Sequence, residues 1–304
     1  MRNRLWPPAA DNIRDYQPDD AAALFALHAA VARAEAGQLR AWTTALDERV
    51  ALGGRVWVAA RGRRPAGYAA IDPLPGLPGV FDLTGGVTPT RQRQGLGGRL
   101  LAHVVAAAPA VGAQHLSARV ERLANENATF LLQRGFSLEH EECLLELGDL
   151  DALPPEPAAP DVAFVTLPWA QAVAAFCRVY EMAFAGRPWS QPYTEGEVVA
   201  TLARAEDLLF AQRDGELIAV VWHQRLPDSR GHVEPIGLTP AHQGQGHGRA
   251  LLLAALHSLR RQGAPLVEIG LWRTNTAAMT LYKGLGFREV ANWYYLARQL
   301  ASER

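Results

Sequence analysis

Six residues late in the chain, Gln243-Gly244-Gln245-Gly246-His247-Gly248, have the composition of an anion cradle. Three glycines in six positions leave backbone N–H groups uncovered. The apolar run that follows reads as a helix, whose start adds the positive end of a dipole. The chemistry on offer is phosphate binding. The same device stands 151 residues earlier as Gln92-Arg93-Gln94-Gly95-Leu96-Gly97, and Val87-Thr88-Pro89 precedes it as Leu238-Thr239-Pro240 precedes the later loop. That spacing persists to Arg134-Gly135-Phe136 and Leu285-Gly286-Phe287, so one fold has been duplicated without a gap over this stretch. A dinucleotide fingerprint does not account for the pair, because the second loop lacks Gly-x-Gly-x-x-Gly spacing and both follow the fourth strand rather than the first. No Gly-Lys-Ser/Thr follows either loop, which removes P-loop chemistry.

The elements that must hold these loops can be read in parallel from the two halves. Each opens on a short strand and a helix: Ile13–Tyr16 then Ala23–Val31, and Val162–Thr166 then Ala172–Ala185. A hairpin follows in each. Val56–Ala60 turns to Gly67–Ile71, and Leu208–Gln212 turns at Asp214-Gly215 to Leu217–His223. The strands Val80–Val87 and His232–Leu238 lead into the glycine loops. After the loop helices come Leu116–Val120 and Leu266–Leu271, a helix ending in Gly-Phe, and a last strand at Glu142–Leu147 or Trp293–Leu296. On the strand before the second loop, regular alternation would put His232, Glu234 and Ile236 on one face.

Composition sets the outer bounds. The chain has 304 residues, 49% of them hydrophobic, enough for two cores of about 150 residues each. Thirty basic residues nearly balance 31 acidic ones, and no basic block is long enough to track a nucleic-acid backbone. Two isolated cysteines, Cys143 and Cys177, imply neither a disulfide framework nor a metal site, and a cytoplasmic location is the default. The polar start from Met1 to Asn12 carries no apolar signal core, and no stretch reads as a membrane span. The proline-rich segment 151–160 separates an N-terminal domain at 1–150 from a C-terminal one at 161–304.

The segment after Leu266–Leu271 is Asn275-Thr276-Ala277-Ala278-Met279-Thr280-Leu281-Tyr282-Lys283-Gly284-Leu285-Gly286-Phe287. Taken with the strand end at Leu238-Thr239-Pro240 and the glycine loop, it resembles the GNAT superfamily of acetyl-CoA-dependent N-acetyltransferases. The repeat carries that resemblance across nearly the whole chain, in the tandem manner of the mycothiol synthases. The resemblance implies an α/β (α+β) fold of two GNAT domains, each a mixed, mostly antiparallel sheet with flanking helices. It implies that acetyl-CoA, as co-substrate and without a metal, lies against Leu238 and Gln243, Gly244, Gln245, Gly246, His247, Gly248 and Arg249. Asn275 is read both as the N-cap of its helix and as a residue on the cofactor side. A backbone N–H between Ile236 and Leu238 would polarise the thioester carbonyl. Tyr282 stands where the family's general acid protonates the leaving thiolate, and the acceptor amine attacks directly. For the general base, Glu234 is the first candidate, His232 the second and Glu268 the third.

The aromatic stretch Glu181–Tyr193 would wall a small-molecule amine, with no nucleic acid or membrane as partner. A protein N-terminus or lysine remains the alternative acceptor, and a non-enzymatic acyl-CoA sensor the alternative function. The first half departs from the pattern. Leu131 stands at the position of Tyr282, and Phe81 and Leu83 at those of His232 and Glu234. Its loop, with Val87, Gln92, Arg93, Gln94, Gly95, Leu96 and Gly97, is nonetheless intact. Arg91, Arg93 and Arg99 give it positive charge that the second loop mostly lacks. The expectation is a silent first half that still binds a CoA-type ligand.

Overall fold

A computed structural model describes residues 12–32, 49–51, 53–62, 64–156 and 161–300. The polar start up to residue 11 and the linker residues 157–160 lie outside the described set. Two compact units emerge. The first comprises Met1–Val120, Ala124–Leu138 and Tyr295–Arg304, and the second Glu121–Leu123 and Glu139–Tyr294. The repeats in sequence and the units in space are therefore different sets of residues. Most of the last strand of the first repeat belongs to the second unit, and the end of the chain's final strand belongs to the first.

In the first unit the strands β1 (Asn12–Asp15), β2 (Arg55–Arg61), β3 (Arg64–Pro73), β4 (Val80–Val87) and β5 (His115–Val120) lie side by side in chain order. All pairings are antiparallel except β4 with β5, which run parallel over Val80–Asp82 and His115–Ser117. Helices α1 (Ala21–Ala32), α2 (Leu96–Ala107) and α3 (Glu126–Leu132) flank them. Strand β2 reads Arg-Val-Trp-Val-Ala-Ala-Arg and is buried throughout its apolar centre, as a strand covered on both faces must be.

The second unit repeats this plan with one borrowed strand. Strand β6 (Ser137–Leu147) pairs antiparallel with β11 (Val267–Trp272), followed outward by β10 (Gly231–Leu238), β9 (Glu216–Arg225), β8 (Leu208–Arg213) and β7 (Ala163–Val165). On its other side β6 neighbours β12 (Arg288–Gln299). Both last strands are longer than the segments expected from sequence. Helix α4 (Trp169–Phe184) buries Ala172, Val173, Phe176, Val179, Tyr180 and Ala183, the stripe that a 3.6-residue period predicts. That stripe forms one core with Phe210, Val220 and Trp222. Helices α6 (His247–Arg261) and α7 (Thr276–Gly284) cover the other face, with Leu252, Leu256, Val267, Ile269, Leu271, Cys143 and Leu145 in a second core.

Helix α5 (Glu195–Thr201) was not anticipated, although its signal is in the sequence. Thr194 Oγ1 takes the Glu197 N–H at 3.3 Å, and Glu197 accepts the Thr194 N–H at 2.7 Å, a capping box. Among the described residues no helix is long and apolar enough to cross a membrane, and no group of His, Cys, Asp and Glu could hold a metal ion.

The packing of α4 on β10 leaves no room for a side chain at Gly237, where an added Cβ would come within 2.5 Å of Phe184 and 2.9 Å of Ala183. Gly237→Ala is expected to destabilise the protein by about 1–3 kcal/mol through overpacking. Chemical denaturation would show this as a lower midpoint at unchanged slope, and an unaltered midpoint would contradict the packing.

Candidate active site

The site begins with a break in the sheet. Strands β10 and β11 pair only at Gly231 with Val267 and His232 with Glu268, and then part. Strand β10 is irregular just beyond this point. Pro235 has no N–H to give a ladder, and against β9 the register jumps from Val233 opposite His223 to Ile236 opposite Val221. Glu234 and Pro235 together face Trp222 alone, which is a β-bulge. The regular alternation expected for this strand is thereby corrected. Val233, Ile236 and Leu238 all pack into the α6–α7 core, while His232 lies on the α4 side, so Ile236 does not share its face.

The bulge also fixes where the backbone donors point. Thr239 N–H bonds to Ile218 C=O at 2.9 Å, so alternation along the antiparallel ladder turns the Ile236 and Leu238 N–H groups away from β9 and into the gap. Strand β4 of the first unit has no such bulge: its pairing with β3 runs unbroken from Val87 to Phe81.

Glu234 occupies the gap. Gly270 on β11 has no side chain, and the carboxylate fills that space so closely that an added Cβ would stand 2.8 Å from Oε2. Half of the Glu234 side-chain surface is open to solvent, yet the carboxyl is surrounded deeply by protein, which places it on the wall of a cleft. Desolvation, reinforced by the negative charge of Glu142, pushes its pKa up to about 7 against a backbone hydrogen bond from Gly270. His232 Nε2 lies 3.8 Å from Glu234, and its Nδ1 3.3 Å from Glu268. Burial lowers the His232 pKa, with Glu268 opposing. Glu268, 8% exposed, is held by Arg230, which also pairs with Asp228 at 2.8 Å. The three base candidates thus adjoin one another, with Glu268 committed to an arginine and Glu234 facing open space.

Tyr282 lies in the α6–α7 core, 4% exposed and 5.9 Å from the Phe287 ring. Burial, with a contribution from the Glu234 charge, raises its pKa, so the phenol stays protonated at neutral pH. Glu234 also acts electrostatically on Tyr180 and Tyr193 on the α4 side. The carboxylate therefore stands between the two faces at the parting of the strands. Asn275 Oδ1 accepts the Ala278 N–H at 3.3 Å and so caps α7.

The glycine loop leads into α6. Gly244 and Gly246 adopt φ of 74° and 87°, a region that favours glycine, and an added Cβ at either would meet nothing within 4 Å. Gly246 caps α6 without a side-chain acceptor, leaving the N–H groups of His247, Gly248 and Arg249 for an anion. The loop is braced by Gln243 Nε2 donating to Leu238 C=O at 3.0 Å and Gln245 Nε2 to Ala241 C=O at 2.9 Å. A pyrophosphate fits this open, donor-rich cradle.

Charge comes to it from elsewhere in the chain, a feature that sequence reasoning missed. Arg187 reaches within 3.5 Å of Gln243 Oε1, and Arg213 within 3.3 Å of Gln245 Oε1. Both arginines were visible in sequence, but only the fold brings them to the loop. The aromatic segment after α4 divides its roles. Gln191 N–H donates to Tyr180 Oη at 3.2 Å and Tyr193 packs on Phe176, whereas Trp189 stands 6.3 Å from Trp272 at the end of β11.

The first unit reproduces the loop. Gln92 Nε2 donates to Val87 C=O at 3.0 Å and Gln94 Nε2 to Thr90 C=O at 2.9 Å, with Gly95 at φ 80° capping α2 at Leu96 and Gly97. Arg93 takes the place of Gly244 at φ 60°, a non-glycine residue in left-handed backbone. Leu131 and Phe81 are buried apolar side chains, and Leu83 is half-buried.

The model of the acetyltransferase (GNAT) family matches residues 21–136 and again 169–287. The chain is 34% identical over 246 residues to a mycothiol acetyltransferase of Thermomonospora curvata, spanning 74% of this chain and 76% of that one. Against a mycothiol acetyltransferase of Actinosynnema mirum it is 31% identical over 233 residues, 73% and 76% of the two chains. In fold it is similar to a GCN5-related N-acetyltransferase from Sphaerobacter thermophilus, with a TM-score of 0.71 and 22% identity over 96% of each chain. It is also similar to a tandem GNAT protein from the clavulanic acid biosynthesis pathway, with a TM-score of 0.65 and 20% identity over 96% and 99%. With both repeats matched, the chain belongs to the GNAT family and is an acyl-CoA-dependent acetyltransferase of the tandem type.

Proposed function

We propose that the second unit transfers the acetyl group of acetyl-CoA to a primary amine of a small molecule by direct attack, with Glu234 as base and Tyr282 as acid. The observation that carries this reading is the carboxylate set into the gap beside Gly270, with a protonated phenol buried beyond it. The name shared by the relatives, mycothiol acetyltransferase, supports a small molecule as the acceptor.

In this reading the pyrophosphate lies on the N–H groups from Gln243 to Arg249, and the thioester reaches the gap. The acceptor enters as an ammonium and gives one proton to Glu234. The freed lone pair forms the C–N bond at the thioester carbon, whose oxygen takes charge that the Ile236 or Leu238 N–H stabilises. Collapse breaks the C–S bond, and the thiolate takes a proton from Tyr282. Tyr282 regains its proton from the nitrogen of the new amide, and Glu234 releases the one it took, so one proton reaches solvent overall. Glu234 suits its role because its pKa near neutrality matches the working pH of a base.

Three outcomes test the reading. Tyr282→Phe should lower kcat by about 10²–10⁴-fold while acetyl-CoA binding, measured by titration, stays nearly intact. Retention of most of kcat would make Tyr282 a packing residue. Wild-type kcat/KM should rise with pH through about 7, because the base acts only after losing its proton, and Glu234→Gln should abolish that limb. If His232→Ala abolishes it instead, the imidazole is the base. Finally, in a Gly246→Glu protein, whose second cradle is obstructed, acetyl-CoA should bind at about one equivalent without turnover, through the intact loop of the first unit. Calorimetric titration showing no binding would make that loop purely architectural.

A further inference from the structure

The face of the second unit's sheet that carries Glu234 extends onto β6, a strand that the first half of the sequence supplies. Glu142 stands directly opposite Trp272 and Leu144 opposite Gly270, so Glu142, Trp272 and the Glu234 carboxylate lying over Gly270 share one face. His140, two residues before Glu142, points the same way and stacks on Trp272 with centroids 3.7 Å apart and planes 5° from parallel. Trp189, from the loop after α4, approaches the same indole.

Glu142 is fixed in this wall by an indole and by an imidazole whose pKa burial lowers but Glu139 and Glu142 together raise. Trp293 Nε1 donates to Oε2 at 2.9 Å, and His140 Nε2 lies 3.3 Å from Oε1. The nearby arginine, Arg273, is bound instead to Glu141 and Glu289. Among the described residues neither Glu142 nor Glu234 has an arginine or lysine as ion-pair partner. Two carboxylates therefore bound one cleft without a permanent cation, beside indole rings able to cover the apolar body of a ligand.

Building on the activity proposed above, we infer that Glu142 is a specificity-determining residue that binds the acceptor as an ammonium ion and hands it to Glu234, with Trp272 against the apolar stem. The acceptor class is then a cationic primary amine on an amphipathic small molecule. Neutral nucleophiles are rejected because they leave the carboxylate pair uncompensated. Arrival of the ammonium offsets the repulsion between Glu142 and Glu234, so Glu234 gives up its own proton to water and is ready to take that of the acceptor. The groups around Glu234 in this exchange are His232 on β10, Glu268 on β11 with Arg230, Glu142 on β6, Tyr180 and Tyr193 on the α4 side, and Tyr282 on α7. The inference also gives the first half a part in catalysis that does not depend on its own glycine loop.

The test is Glu142→Gln in the full-length protein, with cysteine amide and glucosamine as acceptors and product mass as readout. The acceptor KM should rise about tenfold or more, as loss of a charge-assisted contact implies, while the acetyl-CoA KM stays within about twofold. The acidic limb of kcat/KM should move to lower pH, since removing a neighbouring negative charge lowers the pKa of Glu234. Trp293→Phe keeps an aromatic side chain but removes the N–H that anchors Glu142. It should raise the acceptor KM in the same direction by less, even if Glu142→Gln folds poorly. Turnover with unchanged acceptor KM and an unmoved limb in both variants overturns the assignment of Glu142 alone. Failure of the wild-type enzyme to acetylate either amine overturns the proposed acceptor chemistry together with it.

Discussion

Two residues of β10 stand opposite one of β9, and this bulge lies where β10 and β11 part. A parallel pair held together along its length would leave no opening between β10 and β11. Pro235 withdraws a donor from the ladder, and the extra residue turns Ile236 and Leu238 into the α6–α7 core while their N–H groups face the gap. Gly270 then makes room for the Glu234 carboxylate on the facing strand. Bulge, gap and glycine form one constraint, and the electrostatics follow from it. A carboxylate held in a partly enclosed cleft near other carboxylates binds its proton more tightly than it would in water.

The two units show how a duplicated fold can keep its frame while its side chains diverge. Both glycine loops are braced by the same pair of glutamine contacts at the same distances. Strands β4 and β5 also part after a short parallel stretch. Yet β4 pairs with β3 without a bulge, and the positions equivalent to His232, Glu234 and Tyr282 are apolar. Those changes agree with one another. An unbroken ladder keeps its face packed, and a packed face favours Phe81 and Leu131 over groups that would have to be hydrated or paired.

The second unit in turn depends on residues far away in sequence. Strand β6 supplies Cys143, Leu145 and Leu147 to the core beneath β11, and His140 and Glu142 to the opposite face. Because side chains alternate along a strand, one borrowed segment serves stability and the site at once. The proline-rich region that separates the repeats in sequence thus does not coincide with the boundaries of the compact units.

The sequence by itself determined the duplication, the order of strands and helices, the two glycine loops and the family. Each of these rests on local periodicity or on fixed spacing between neighbours in the chain. Tyr282, Glu234 and His232 could be named as candidates because they stand at fixed distances from those motifs, and the capping box before α5 is also written in the sequence. Only the tertiary structure decided that Ile236 turns away from His232, that Arg187 and Arg213 come to the second loop, and that His140 and Glu142 join the wall beside Glu234. The physical reason is that strand pairing joins segments by backbone hydrogen bonds, which are the same for nearly every residue type. A sequence marks which stretches will be strands, but which strand becomes β11's neighbour, and so which side chains share its face, is settled only when the whole sheet closes its ladders.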